Sequence, residues 1–325
     1  MPGVFNIKIN DGFIYKKLNP NNLTSKKIIK ELKNDKNLKN YKIHLNSYKL
    51  PIIGQFIEKP IKIEDNGNYN MKYIEGINLM DILKKKDKKC KIAGWTSKEL
   101  KLNKNIAVEI LKQLLYLESK LYEYSKSYSL CGDWFLHNLI YDILRKQIYN
   151  IDLEGFYTYY GNSPMCDLKS YIPSQFDSCK KELLNQINSN IFTIILWNPV
   201  EKYYNEIENI IKEEFKILFN SKNLVENMKT FIDKVYELDV RCHKPYLPKK
   251  IEILEKYKKE VNFFIILIDN PKYDKQFVSS TAVKLKEKIR NKYKHTIENY
   301  YKDIIIHISD NSIEANNIYK LCGLI

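Results

Sequence analysis

The stretch from Ser129 to Phe156, SLCGDWFLHNLIYDILRKQIYNIDLEGF, constrains this chain more than any other. Two short runs, Leu139-Ile140-Tyr141 and Gln147 to Ile151, flank a mostly polar turn from Asp142 to Lys146, a pattern that predicts a β-hairpin. The hairpin fixes where the polar residues around it fall. Asp133 and Asn138 lie in the loop before the first strand, and Asp152 at the end of the second. An oxygen-rich cluster of this kind suits Mg2+, a hard ion usually shared between carboxylates and substrate phosphates. Phosphoryl transfer needs these parts: a carboxylate to orient and deprotonate the attacking hydroxyl, and an Asn and an Asp to hold metal.

On Gly132-Asp133, Asn138 and Ile151-Asp152-Leu153-Glu154 the chain resembles the protein-kinase-like superfamily. The closer likeness is to its small-molecule branch, the aminoglycoside and choline phosphotransferases, with their HGD-x-x-x-x-N loop and IDFE or IDWE strand end. The resemblance implies ATP and Mg2+ as cofactors, Asp133 as catalytic base, Asn138 as a metal ligand and Asp152 as the main metal ligand. Cys131 stands where a His commonly precedes Gly-Asp, and Phe135 where a His or Lys follows it.

Upstream, Val4–Ile9 and Phe13–Leu18 read as strands joined at Asn10-Asp11-Gly12. The second carries Lys16 and Lys17, and the resemblance implies that a lysine here contacts the nucleotide phosphates. Strand alternation sends only one of them into the cleft, and Lys16 is the choice. Thr24 or Ser25 can cap a helix through Ile28, Ile29 and Leu32. Its Glu31 is, by the resemblance, the partner of the strand lysine. Strands are expected at Gly54–Glu58, Pro60–Glu64 and Tyr69–Ile74. The following Tyr73-Ile74-Glu75-Gly76-Ile77-Asn78-Leu79 is similar to the Y-x-E-G-x-x-L after the hinge strand of that superfamily. That likeness would bring the backbone near Lys72 to Ile74, with Tyr73 between, to the adenine. Ile110, Leu114, Leu117 and Leu121 form the stripe of a long helix leading into the Gly132-Asp133 loop.

From about residue 190 the pattern alternates β-α-β-α-(α)-β-α-β-α, which suggests a ferredoxin-like α+β unit. Its end, Ile304 to Ala315, resembles the nucleoside-diphosphate-kinase signature N-x-x-H-G-S-D-S-x-x-S-A, with His307, Ser309, Asp310 and Ala315 in register. By that resemblance His307 is a phosphate-accepting nucleophile and Arg290 a phosphate-binding residue. Asn198 stands at that family's active-site Lys, Ile308 at its Gly and Ile318 at its Glu.

The expected fold is therefore α+β: a two-lobed kinase-like domain over 1–188, then a ferredoxin-like domain resembling nucleoside diphosphate kinase over 189–325. A length of 325 residues with 44% hydrophobic content can bury two cores. The net charge of +15 favours phosphate-bearing ligands. Its lysines are spread along the chain, with no basic block interleaved with stacking aromatics, which argues against nucleic acid. Six scattered cysteines without a C-x-x-C pair fit a reducing, cytoplasmic setting. No apolar run approaches the ~18–20 residues of a membrane span.

The expected function is transfer of the γ-phosphoryl group of ATP to a hydroxyl of a small molecule, since the region after Asp152 is too short for a peptide-docking segment. Two other readings stand beside it. One puts phosphohistidine chemistry at His307 with a regulatory first domain. The other is a non-catalytic interaction platform, for which Cys131, Phe135, Asn198 and Ile318 speak.

Overall fold

The computed structural model describes residues 5–83, 102–127, 134–153, 172–239, 244–301 and 303–324. They are mixed α+β, with three antiparallel sheets divided between two units, Met1–Leu183 and Leu184–Ile325. No helix among the described residues is long and apolar enough to cross a membrane.

In the first unit, β1 (Phe5–Asn10) and β2 (Phe13–Leu18) form a hairpin. Its two turn residues, Asp11 and Gly12, both take positive φ, 49° and 77°. That is the handedness a two-residue turn needs to follow the strand twist. Helix α1 (Leu23–Glu31) starts at Asn22, whose side chain accepts from the Ser25 N–H, so the cap precedes the Thr24 or Ser25 expected. Helix α2 (Asp35–Leu45) follows, capped by Asn34; with only Tyr41 and Leu45 buried, its apolar stripe is too sparse to read in the sequence. Strands β3 (Pro60–Ile63) and β4 (Tyr69–Lys72) complete a sheet of order β1-β2-β4-β3.

The strand expected at Gly54–Glu58 is instead a 3-10 turn, Gly54–Phe56, followed by a single bridge from Ile57 to Asn150. Local bonds from Phe56 N–H to Ile53 O and from Ile57 N–H to Gly54 O use the donors a ladder would need. Gly54 itself lies against Tyr48, where a Cβ would come within 2.4 Å of the carbonyl oxygen.

A second small sheet, β5-β6-β7, joins β5 (Gly76–Asn78) to the hairpin β6 (Leu139–Asp142) and β7 (Gln147–Asn150). Gly76 is required for that pairing: a Cβ there would sit 2.2 Å from Tyr141 O and 2.8 Å from Ile140 Cγ2. Between β5 and β6 come the short α3 (Leu79–Ile82) and the long α4 (Lys104–Ser127). The α4 stripe of Ile110, Leu114, Leu117 and Leu121 is fully buried. Helix α5 (Ile172–Ile187) is tied to α4 by Lys180, whose Nζ lies 2.9 and 3.2 Å from the two oxygens of the buried Glu118 carboxylate.

The second unit runs β8 (Ser189–Trp197), α6 (Tyr204–Glu214), β9 (Lys216–Leu224), α7 (Met228–Val235), α8 (Leu247–Leu254), β10 (Glu260–Asp269), α9 (Ser280–Tyr293), β11 (Ile306–Ile308) and α10 (Ser312–Tyr319). The sheet order is β11-β8-β10-β9, antiparallel throughout. Strand β10 is buried at every position from Val261 to Ile268, so it reads as a continuous apolar run rather than an alternation. On one face Phe192, Ile194, Phe264, Ile266 and Ile306 pack with Ile207 of α6 and Leu285 of α9. Strand β11 is shorter than the Lys302–Ile308 expected. Asp303 takes φ 70°, a left-handed conformation through which an extended strand does not run.

Candidate functional site

Strand alternation on β2 turns Lys16 inward, 4% exposed, and leaves Lys17 exposed. Lys16 Nζ donates to the carbonyl oxygen of Ile151 at 3.1 Å, a contact between residues 135 apart. It also lies 5.4 Å from the ring centroid of Tyr69 and 5.9 Å from that of Phe5. The lysine thus arrives at the peptide group immediately before Asp152.

The hairpin brings the other residues to the same place. A 3-10 turn, Leu136–Asn138, delivers Asn138 to the start of β6, where its carbonyl accepts from the Ile151 N–H at 3.0 Å. Asn138 Nδ2 donates to Asp152 Oδ2 at 3.3 Å. The Asp152 N–H donates in turn to Asn150 Oδ1 at 2.8 Å. Asn150 was missed in reading the sequence. Its signal is an Asn two residues before the Asp, the spacing at which an Asx side chain bonds the backbone. Asp152 is half-buried and Asn138 buried. A carboxylate and an amide oxygen are the donor types that suit Mg2+, and the partial exposure of Asp152 leaves access for phosphate oxygens.

The remaining expected residues of this unit fall differently. Asp133 lies outside the described residues. Glu31, on α1, makes an i,i+4 ion pair with Lys27 at 3.9 Å. The Tyr73 N–H donates to Gly12 O at 2.9 Å, prolonging the β2–β4 pairing. Ile74 is buried.

In the second unit, His307 alternates with the core residues Ile306 and Ile308 on β11 and so projects from the opposite face of the sheet. It is 1% exposed, its ring 4.7 Å from that of Tyr236 in an edge-on contact. Nε2 lies 3.0 Å from Glu314 Oε1. The other carboxylate oxygen of Glu314 accepts from the Asp310 N–H at 2.5 Å. Burial, with Lys286 adding to it, lowers His307 to about 3. Burial raises Glu314 to about 7. Burial thus keeps the imidazole neutral, so the contact is a hydrogen bond and not an ion pair with an imidazolium. Ile318 is core, and the imidazole has its carboxylate from Glu314, seven residues on. The signal was the pattern Asn311-Ser312-Ile313-Glu314, an N-cap followed three residues later by Glu.

A cavity of about 190 Å3 lies beside His307, lined among others by Tyr236, Asp239, Lys286, Arg290 and Asp310. Both of these cations are paired, Lys286 with Asp310 at 3.2 Å and Arg290 with Asp303 at 2.5 Å. Arg290 also donates to Ile306 O at 3.0 Å. Behind Tyr236 sits Lys250, fully buried, its Nζ 2.5 Å from the Tyr236 hydroxyl and 2.6 Å from Asp303 O. Asn198, at the end of β8, is buried and reaches Glu201 at 3.4 Å.

No known protein family matches the chain, and no curated protein does. Among solved structures, one that is similar is an orthorhombic crystal form of the Aquifex aeolicus nucleoside diphosphate kinase. It shares 17% identity at a TM-score of 0.29, over 41% of this chain and 94% of that one. A likeness of that size does not establish a shared fold or a shared chemistry.

Proposed function

We propose that the first unit is an ATP- and Mg2+-dependent phosphotransferase of kinase-like, two-lobed design, and that the second is a ferredoxin-like companion. The observation that carries this reading is that Lys16, 135 residues away in sequence, meets Asn138 and Asp152 at the Ile151–Asp152 strand end. Lys16 binds nucleotide phosphate oxygens. Asn138 and Asp152 hold Mg2+, which when bound neutralises charge on those oxygens. Asp133 takes the proton of the acceptor hydroxyl as its oxygen bonds the γ-phosphorus, and the bond to the β-phosphate oxygen breaks to release ADP. The acceptor is a small molecule such as a sugar, polyol or aminoglycoside-like compound.

A neutral His307 has the protonation state a nucleophile needs. Its cavity, however, falls below the ~300–1,000 Å3 of ordinary ligand pockets, and Nε2 is held by Glu314. Both observations favour the reading that assigns the chemistry to the first unit. The test is ADP release across a panel of hydroxyl acceptors, with and without Mg2+. Turnover should need Mg2+ and vanish in Asp152→Ala and Lys16→Met. Turnover unchanged in Asp152→Ala overturns the assignment, and ATP-derived phosphohistidine at residue 307 moves the chemistry to the second unit.

A further inference from the structure

The group around His307 takes no part in the phosphotransferase reading. We infer that Asp239, His307 and Glu314 form a binding site for a zinc-class divalent transition-metal ion, with a fourth coordination position open toward the adjoining cavity.

Four observations carry it. One ligand atom from each residue lies within 4.8 Å of the other two. Bond lengths of about 2.0–2.2 Å place the ligands of a tetrahedral zinc ion ~3.4 Å apart. His307 Nε2 and Glu314 Oε1, at 3.0 Å, are already near that spacing. Asp239, half-buried beyond the end of α7, offers a carboxylate oxygen within 4.8 Å of both. One imidazole with two carboxylates is a donor set suited to zinc and its neighbours rather than to Mg2+.

A further sign comes from Asp310. It is 2% exposed, lines the same cavity, and its Oδ2 is buried with no hydrogen-bond partner among the described residues. Leaving such an acceptor unsatisfied costs about 1–3 kcal/mol. Three protein ligands leave room for a water on the metal, and that water is the donor Asp310 lacks. The cavity is large enough for it and small for a nucleotide.

The test uses the full chain, stripped with chelator and titrated with Zn2+ in excess Mg2+, so that oxygen-only sites are filled. The wild type should take up one Zn2+ per chain. Asp239→Asn, which changes a half-buried side chain and spares the core, should weaken uptake by more than about tenfold. Substitution with Co2+ should give the visible absorption of a tetrahedral site in the wild type and not in Glu314→Gln. Zn2+ should raise the melting temperature of the wild type and not of Asp239→Asn. No uptake by the wild type, or equal uptake and equal spectra in all three proteins, overturns the site.

Discussion

Lys250 is a lysine with no access to water, and that makes its effect on stability depend on pH in a direction opposite to most lysines. Burial drives its ammonium well below the ordinary 10.5, against a smaller opposing pull from Asp303. Between that lowered value and 10.5 the unfolded chain holds a proton that the folded chain does not. Stability therefore rises with pH across the window, by up to ~1.4 kcal/mol per pH unit for one proton. Replacing the residue in Lys250→Met removes this slope. It also removes the hydrogen bonds to the Tyr236 hydroxyl and Asp303 O, worth about 1 kcal/mol each. The ring contacts with Trp197 and Tyr236, at 4.6 and 4.5 Å, are retained in part by the Met side chain. The variant should thus be less stable than wild type by about 2 kcal/mol at the top of the window. That gap should narrow by up to ~1.4 kcal/mol for each unit of pH descended. The assay is urea unfolding from about pH 7 to 10.5, with Trp95 and Trp134 replaced by Phe so that emission reports Trp197 alone. Parallel stability profiles for the two proteins would refute the reasoning.

Other outcomes follow from single contacts. Gly76→Ala should destabilise the first unit by ~1–3 kcal/mol or more, because the new Cβ meets the Tyr141 carbonyl rather than a yielding side chain; Trp134 emission in urea reads it. Burial by itself lowers Lys180, but Glu118 and Asp177 outweigh it and hold the ammonium above 10.5. Its contribution should be full below 10.5 and fall away as pH rises through the folded value, a loss that Lys180→Met should not show. Phe264→Ala should cost about 3–5 kcal/mol in the second unit, read by Trp197, since the ring is fully buried at the centre of the sheet.

What could be read from the sequence was what short-range patterns determine. The β1–β2 and β6–β7 hairpins follow from turn chemistry between apolar runs, and β10 from an unbroken apolar stretch. Alternation told that one of Lys16 and Lys17 turns inward, and the strand's pairing decides that it is Lys16. The meeting of Lys16 with the Ile151 carbonyl depends on two sheets docking, which no local pattern encodes. Features governed by tertiary contact were not legible. Gly54 is required by its close approach to the backbone of Tyr48, and Asn150 is recruited only once Asp152 turns back on it. Glu314 reads as an ordinary capping residue until β11 and α10 bring it to His307.

The central claim is that Lys16, Asn138 and Asp152 form one Mg2+-nucleotide site. Calorimetric titration of ATP into the full chain, with and without Mg2+, addresses it most directly when wild type is compared with Asp152→Ala. The account predicts Mg2+-dependent binding that weakens at least ~10-fold, about 1.4 kcal/mol, in the variant. Equal ATP affinity in the two proteins, or binding indifferent to Mg2+, would contradict it.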